Sequence, residues 1–277
     1  MAASVHQANL EKLRNWGATI IGPAEGRLAS GEVGRGRMVE PRRLSAPPES
    51  CWVAKGDLVG WRVVVTAGGT REAIDPVRFV SNHSSGKMGY AVAIAARDRG
   101  AKVTLITSAT LPDPFGMEVV RVDSAAHMLA AVLQATRQAD LLVMAAAVAD
   151  FRPQTVAEQK IKKKGDAEGL TLEMIRNPDI LAEVAAQKAS GADPRLTVGF
   201  AAETEDLVAN AHSKLERKKL DLIVANNVTA SDAGFAVDTN RVTLLSANGS
   251  IESLPLMSKA EVAEVVLDEV KRLNVER

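Results

Sequence analysis

From residue 62 onward the chain repeats one unit: a short, continuous apolar run rich in Val, Ile and Leu, followed by a segment of helical period. RVVVTA (62–67), KVTLIT (102–107), DLLVMAAAV (140–148), LTVGFAA (196–202) and LDLIVAN (220–226) carry no alternating polar face, so each predicts a strand covered on both sides. Between them, residues 86–99 set Met88, Ala91, Val92, Ala95 and Ala96 on one side of a helix that Gly100 stops. A second helix begins with Ser124 as cap and runs to about Gln138. Further helices start at Asp179 and near Glu205, the latter ending near Lys219. RVTLLS (241–246) and residues 250–252 flank Ala247-Asn248-Gly249 as a hairpin, and an amphipathic helix runs from Ser258 to about Leu273. Strands that alternate with helices in this way predict an α/β fold: a doubly wound, mostly parallel, Rossmann-like sheet in a three-layer α/β/α section, with a small hairpin near the C-terminus.

Residues 1–57 break the pattern. Residues 9–16 suit a short helix and 18–21 a short strand, but PAEGRLASGEVGRGRMVEPRR (23–43) is dense in Gly and Arg, and the turn-rich SAPPES follows. We read 1–57 as a separate tail and linker, and 58–277 as the main domain. Hydrophobic residues at 46% and charged residues at 25% exclude a disordered chain or a disulfide scaffold. Lys+Arg and Asp+Glu both number 34, which argues against a protein built around nucleic acid or an anionic membrane. Cys51 is the only cysteine, so there is no internal disulfide and no zinc–cysteine cluster. His6, His83, His127 and His212 are scattered, so a histidine metal cluster is not expected, and the metal ligands are left unassigned. No apolar run reaches the roughly 18 residues of a membrane span, and the opening residues lack a signal peptide's apolar core. The expectation is a soluble cytoplasmic protein.

In doubly wound sheets, ligands sit beyond the carboxyl ends of the strands, which places TAGGTRE, AAAVADF, GFAAET and ANNV on one rim. The turn holding Gly68 follows a strand as a nucleotide-binding turn would, or is simply a turn. In SNHSSGKMG (81–89), small and hydroxyl residues run into a helix start, where N–H groups and the helix dipole attract anions. Gly86 and Gly89 would let phosphate approach the backbone, and Ser84 or Ser85 would serve as cap. The segment is not a P-loop, because no Ser or Thr follows the lysine. Asp150 would hold magnesium, bond a ligand, or cap a turn. The run KIKKK (160–164) is either a solvated charge cluster or a flexible lysine loop over a phosphate site. Lys214 and Lys218 share a helix face. A nicotinamide-dependent oxidoreductase would share the fold, but GxGxxG is missing and the second strand ends in LITSAT, without the acidic residue that such enzymes place there.

TAGGTREAIDPVRFVSNHSSGKMG, AAAVADFRP, KIKKK, RNPDIL, GFAAET and RKKLDLIVAN together resemble the phosphopantothenate–cysteine ligase domain of bacterial bifunctional coenzyme A biosynthesis proteins, over about residues 60–274. The resemblance implies a reaction in which 4′-phosphopantothenate is activated by CTP as an acyl-cytidylate and then joined to cysteine, with Mg²⁺ accompanying the nucleotide. It implies a homodimer and no nucleic-acid or membrane partner. It also implies that Asn82 and Arg78 hold the intermediate and that Lys160 is a mobile lysine over the site. Ser84, Gly86 and Gly89 would approach phosphate, Ala145, Ala146 and Ala147 would make close backbone contact, and Asp150 would touch ligand. Pro178, Asp179, Ile180, Leu181, Phe200, Lys214 and Lys218 would take the nucleotide. Residues 1–57 resemble the closing segment of the flavin-dependent decarboxylase half of those proteins. The catalytic cysteine of its A-C-G motif is replaced here in Ala29-Ser30-Gly31, so no FMN and no decarboxylation are expected. The alternative within this fold is a nucleotide-binding module without ligase activity.

Overall fold

The computed structural model describes residues 9–13, 16, 20, 22–28, 31–38, 56–162, 169–191, 193–203, 207–227 and 237–276. The chain divides into two compact units, Met1–Gly56 and Asp57–Arg277. In the first, residues 9–13 are helical, and β1 (Ala24–Arg27) pairs antiparallel with β2 (Val33–Arg37). The expected tail thus contains a hairpin. The strand expected at 18–21, the Ala29-Ser30 pair and Cys51 lie outside the described residues, Ile20 excepted.

In the second unit, β3 (Arg62–Ala67), β6 (Lys102–Thr107), β7 (Glu118–Arg121), β8 (Leu141–Met144), β11 (Leu196–Glu203), β12 (Leu222–Asn227), β14 (Val242–Ser246) and β15 (Ile251–Ser253) form one sheet in the order β15-β14-β12-β11-β8-β3-β6-β7. The run β12-β11-β8-β3-β6-β7 is parallel throughout, and β14 and β15 close one edge as the antiparallel hairpin. Helices α1 (Lys87–Asp98), α2 (Ala125–Ala135), α3 (Ile180–Ala189), α4 (Leu207–Arg217) and α5 (Lys259–Val275) cover both faces.

The period-2 geometry of the strands separates the core into layers. Val63, Val65, Val103, Leu105, Leu141, Val143, Val198 and Val224 point toward α1 and α5, packing with Val92, Ala96, Val262 and Val266. Their neighbours Val64, Ile106, Leu142 and Met144 point the other way, onto Met128, Val132, Ile180 and Val184 of α2 and α3. Ile223, Ala225 and Leu245 meet Ala211 and Leu215 of α4. Burial on both sides is the reason these strands read as unbroken apolar runs.

Short hairpins decorate the rim: β4 (Arg71–Ala73) with β5 (Phe79–Ser81), and β9 (Phe151–Pro153) with β10 (Met174–Arg176). β13 (Thr239–Asn240) pairs with β16 (Met257–Ser258). Helix α5 starts in a complete capping box: the Ser258 hydroxyl accepts from the Glu261 N–H while the Glu261 carboxylate accepts from the Ser258 N–H.

Gly89 sets how closely α1 lies on the sheet. A Cβ at that position would sit 2.6 Å from both the Ala67 Cβ and the Thr66 carbonyl oxygen, so this glycine serves helix–strand packing. We expect Gly89→Ala to lower stability in urea by about 1–3 kcal/mol, the range for forcing extra volume into a packed contact. A fragment beginning at Gly56 should retain cooperative unfolding. Trimming past Asp57 should not be neutral, because its carboxylate binds Arg99 and its carbonyl accepts from Lys271.

Candidate active site

The cleft is built where the chain leaves β8. The sequence predicts a strand through 148, but the strand ends at Met144 and residues 145–149 peel away along the turn after β3. The Thr66 hydroxyl accepts from the Ala146 N–H, the Gly68 carbonyl from the Ala147 N–H, and the Thr70 hydroxyl from the Ala149 N–H, at 3.1, 2.8 and 2.9 Å. Thr66 and Thr70 are fully buried, so these bonds are shielded from competing water. The amides of Ala146 and Ala147 are therefore committed inward. Ala145, Ala146 and Ala147 line the cleft, while Ala146 and Val148 also pack against the core beneath α2 and α3.

Asn82 follows β5, and its side-chain amide donates to the Ala147 carbonyl at 3.2 Å, which ties the β5 exit to the β8 exit. Five residues later, at Lys87, the chain enters α1. The N-cap position is Gly86, at φ 81°, which has no side chain to offer; of the two serines expected to cap, Ser85 stands one residue before it, and its hydroxyl accepts from the Lys87 N–H at 3.5 Å. Gly86 is required here, since φ is positive and an added Cβ would meet that of Ala109 at 2.6 Å. The α1 N-terminus opens into a cleft of 990 Å³ that spans residues 81–89, 144–151 and 176–181, with Phe200, Lys214, Lys218, Asn226, Asn240 and Lys259.

On the α3 side, the Asp179 carboxylate caps α3 by accepting from the Leu181 and Ala182 amides, and lies 3.1 Å from Lys218 Nζ. Asn177 donates to the Ala149 carbonyl at 2.8 Å and accepts from Arg152, which also binds the Arg176 carbonyl. Thus Asn82, Ser84, Gly86, Gly89, Ala145, Ala146, Ala147, Asp150, Pro178, Asp179, Ile180, Leu181, Phe200, Lys214 and Lys218 all line one cleft. Gly68, Arg78 and Lys160 are not among its lining residues. Gly68 lies behind the loop, against Ser108 and Ala109.

Arg78 and Lys160 are joined in another way. Asp75, whose side chain has no solvent exposure, accepts from the Ile161 N–H at 3.0 Å, from Arg78 Nε at 3.0 Å and from Arg78 Nη2 at 2.5 Å. Arg78 Nη2 also donates to the Ile161 carbonyl at 2.6 Å. Both backbone groups of Ile161 are therefore held by one ion pair, and the Ala157 N–H donates to the Ile74 carbonyl. The exposed Lys160 lies between these two tie points. Burial pushes the Asp75 carboxyl up, but donation from Ile161, Arg78 and the Val77 and Arg78 amides outweighs it and holds the group well below the usual carboxylate range. Lys163 and Lys164 lie outside the described residues.

Sequence reasoning missed Lys87, Asn177, Asn226, Asn240 and Lys259 as cleft residues. Lys87 and Asn177 sit inside motifs already singled out. Lys259 had a signal of its own: a lysine in the first turn of a helix, where the dipole disfavours positive charge. His83 lines the cleft, whereas His127 and His212 lie on α2 and α4. Among the described residues, no group of three or more His, Cys, Asp or Glu side chains gathers as a metal site. Asp150 instead offers one exposed carboxylate at the cleft edge, which suits a magnesium ion that keeps several waters and is held mainly by phosphate oxygens. Among the described residues, no helix is long and apolar enough to cross a membrane.

Residues 58–273 match the family model of the DNA/pantothenate metabolism flavoprotein C-terminal domain. The chain is 49% identical over 262 residues to the coenzyme A biosynthesis bifunctional protein CoaBC of Vibrio cholerae, covering 94% of this chain and 64% of that protein. The Bacillus subtilis protein of the same name is 46% identical over 270 residues, covering 96% and 65%. The chain thus spans just under two thirds of the length of these relatives. The crystal structure of a CoaBC C-terminal domain superposes with a TM-score of 0.66 at 38% identity, covering 79% of this chain and 97% of that one.

Asp75→Asn should loosen the Ile161 tie, since an amide accepts hydrogen bonds more weakly than a carboxylate. Hydrogen exchange at the Ile161 amide should quicken by about tenfold, the scale of one charge-assisted bond. In the native chain the carboxyl is depressed, so the tie is fully present above the ordinary carboxylate pKa and is lost only as pH falls through the lowered value. Protection of Ile161 should accordingly be flat from pH 8 to 5. A fall in protection within that window would remove Asp75 from this role.

Proposed function

Because the chain belongs to the DNA/pantothenate metabolism flavoprotein C-terminal domain family, we propose that it ligates 4′-phosphopantothenate to L-cysteine in coenzyme A biosynthesis, with CTP as the activating nucleotide. The observation that carries this reading is one cleft in which a glycine-capped helix N-terminus, the Asn82 amide and the Lys214–Lys218 face converge. Such a cleft suits a reaction whose main demand is to bring two anions together and neutralise them.

In the first step a phosphopantothenate carboxylate oxygen attacks the α-phosphorus of CTP. A new O–P bond forms, the bridging P–O bond breaks, and its electron pair leaves with pyrophosphate. In the second step the cysteine amine attacks the acyl carbon, loses a proton and displaces CMP. The enzyme supplies no nucleophile. Pro178, Asp179, Ile180, Leu181, Phe200, Lys214 and Lys218 take the nucleotide, and Asp179 keeps Lys218 oriented. Asn82, fixed to Ala147 by one amide hydrogen, directs the other toward the acyl-cytidylate. Ser84, Gly86 and the α1 N-terminus face phosphate, and Asp150 holds Mg²⁺, which supplies charge neutralisation when bound. Arg78 acts through its grip on Ile161, and Lys160 reaches the phosphates from that anchored segment. The domain works as a homodimer through the face where Val77, Phe79, Phe151 and Val156 are exposed on adjoining rim elements.

The test is pyrophosphate release from CTP, which should require phosphopantothenate, followed by CMP release that requires cysteine. Release that ignores phosphopantothenate would sink the proposal. Lys160→Gln should slow the first step by about 10²-fold, the scale of losing one charge-stabilising group. Lys162→Gln should cost far less, because diffuse surface charge is screened by salt. Asn82→Asp should stall the reaction at or after activation, since it places a carboxylate beside phosphate; full activity would remove Asn82 from the site.

A further inference from the structure

On the sheet face opposite α3 and α4, two helix starts meet at the cleft. Lys87 is the first residue of α1, Lys259 is the first residue of α5, and the two helices pack against each other. Both lysines line the cleft, with Asn240 beside them. Lys259 is only 6% exposed; its ammonium donates to the Val237 carbonyl, while Lys87 Nζ lies 2.7 Å from the Asp238 carboxylate.

Stability alone does not explain these residues. The first helical turn favours acidic side chains, a buried ammonium loses hydration, and like charges repel. Burial, and after it the charge of Lys87, bias Lys259 toward losing its proton, against the pull of Asp238. A polyanion in the cleft would offset all three costs at once.

We infer that Lys259 and Lys87 form a diphosphate subsite, which holds the β- and γ-phosphoryl groups of the nucleotide and then the departing pyrophosphate. The identity of that ligand rests on the ligase reading; the subsite itself is defined by its two ammonium groups. When the bond between the α-phosphorus and the bridging oxygen breaks, the electron pair stays on that oxygen. The growing charge falls between a cation fixed by burial and one that exchanges Asp238 for phosphate.

The experiment is titration calorimetry of the full chain with inorganic pyrophosphate, comparing native protein with Lys259→Met and Lys87→Gln. Lys259→Met should weaken binding by about tenfold or more, as expected for one charge-assisted contact. Lys87→Gln should weaken it by a smaller factor, because that side chain is partly in solvent. Lys259→Met should melt no lower than native protein. If it fails to fold, Lys87→Gln decides the question, since its side chain lies outside the core. Native-like affinity in either folded variant, or no binding by the native chain, overturns the subsite. Pyrophosphate release from CTP, measured on the same preparations, reports separately. A chain that binds pyrophosphate through Lys259 yet releases none from CTP would keep the subsite and lose the ligase.

Discussion

The departure of residues 145–149 from the sheet, held by the buried hydroxyls of Thr66 and Thr70 and by the Gly68 carbonyl, is the contact on which the cleft depends. It occurs between β8 and β3, where the winding of the sheet reverses and the helices diverge to opposite faces. The same three acceptors that fix the segment also consume its inward amides. An apolar stretch of the cleft lining results, flanked by polar groups: Asn82 bonded to the Ala147 carbonyl, and Asn177 to the Ala149 carbonyl beside Asp150. Losing either hydroxyl would leave a buried N–H without a partner, which costs more than a surface bond.

Two cations of the cleft are each paired with a carboxylate that can be exchanged. Lys218 rests on Asp179 and Lys87 on Asp238. Both carboxylates are themselves solvent-accessible, so exchanging them for phosphate costs little. Such pairs keep lysines extended and oriented without neutralising the site for long, as expected where geometry matters more than the small energy of exposed ion pairs.

The sheet was legible because burial on both faces leaves a plain mark: 62–67 and 102–107 coincide with β3 and β6. The β8 run was read too long because Ala145 to Val148 are as apolar as the strand, although they serve to leave it. The hairpins β4–β5 and β9–β10 carry three residues per strand, too few for any period to show. Most cleft residues were found because they stand just after strands. Lys259 and Asn240 come from the antiparallel return at the far end of the chain, and no local pattern ties them to SNHSSGKMG. Gly89 lines the cleft where the sequence places it, and the closeness of Ala67 and Thr66 beneath it is a packing demand that no local pattern shows. The three predicted residues that do not line the cleft, Gly68, Arg78 and Lys160, sit behind it or beside the clamp.

That clamp sets a limit on motion. With Ile161 held at both its amide and its carbonyl, and Ala157 bonded to Ile74, Lys160 is one peptide unit, about 3.8 Å, from a fixed point. Its ammonium therefore searches a volume set by its own four-carbon stem and not by the length of the β9–β10 excursion. In the language of tethered ligands, its effective concentration near that anchor stands well above the millimolar level of a flexible linker. Lengthening the excursion beyond residue 162 should leave that concentration unchanged, whereas a single residue inserted between 160 and 161 would dilute it.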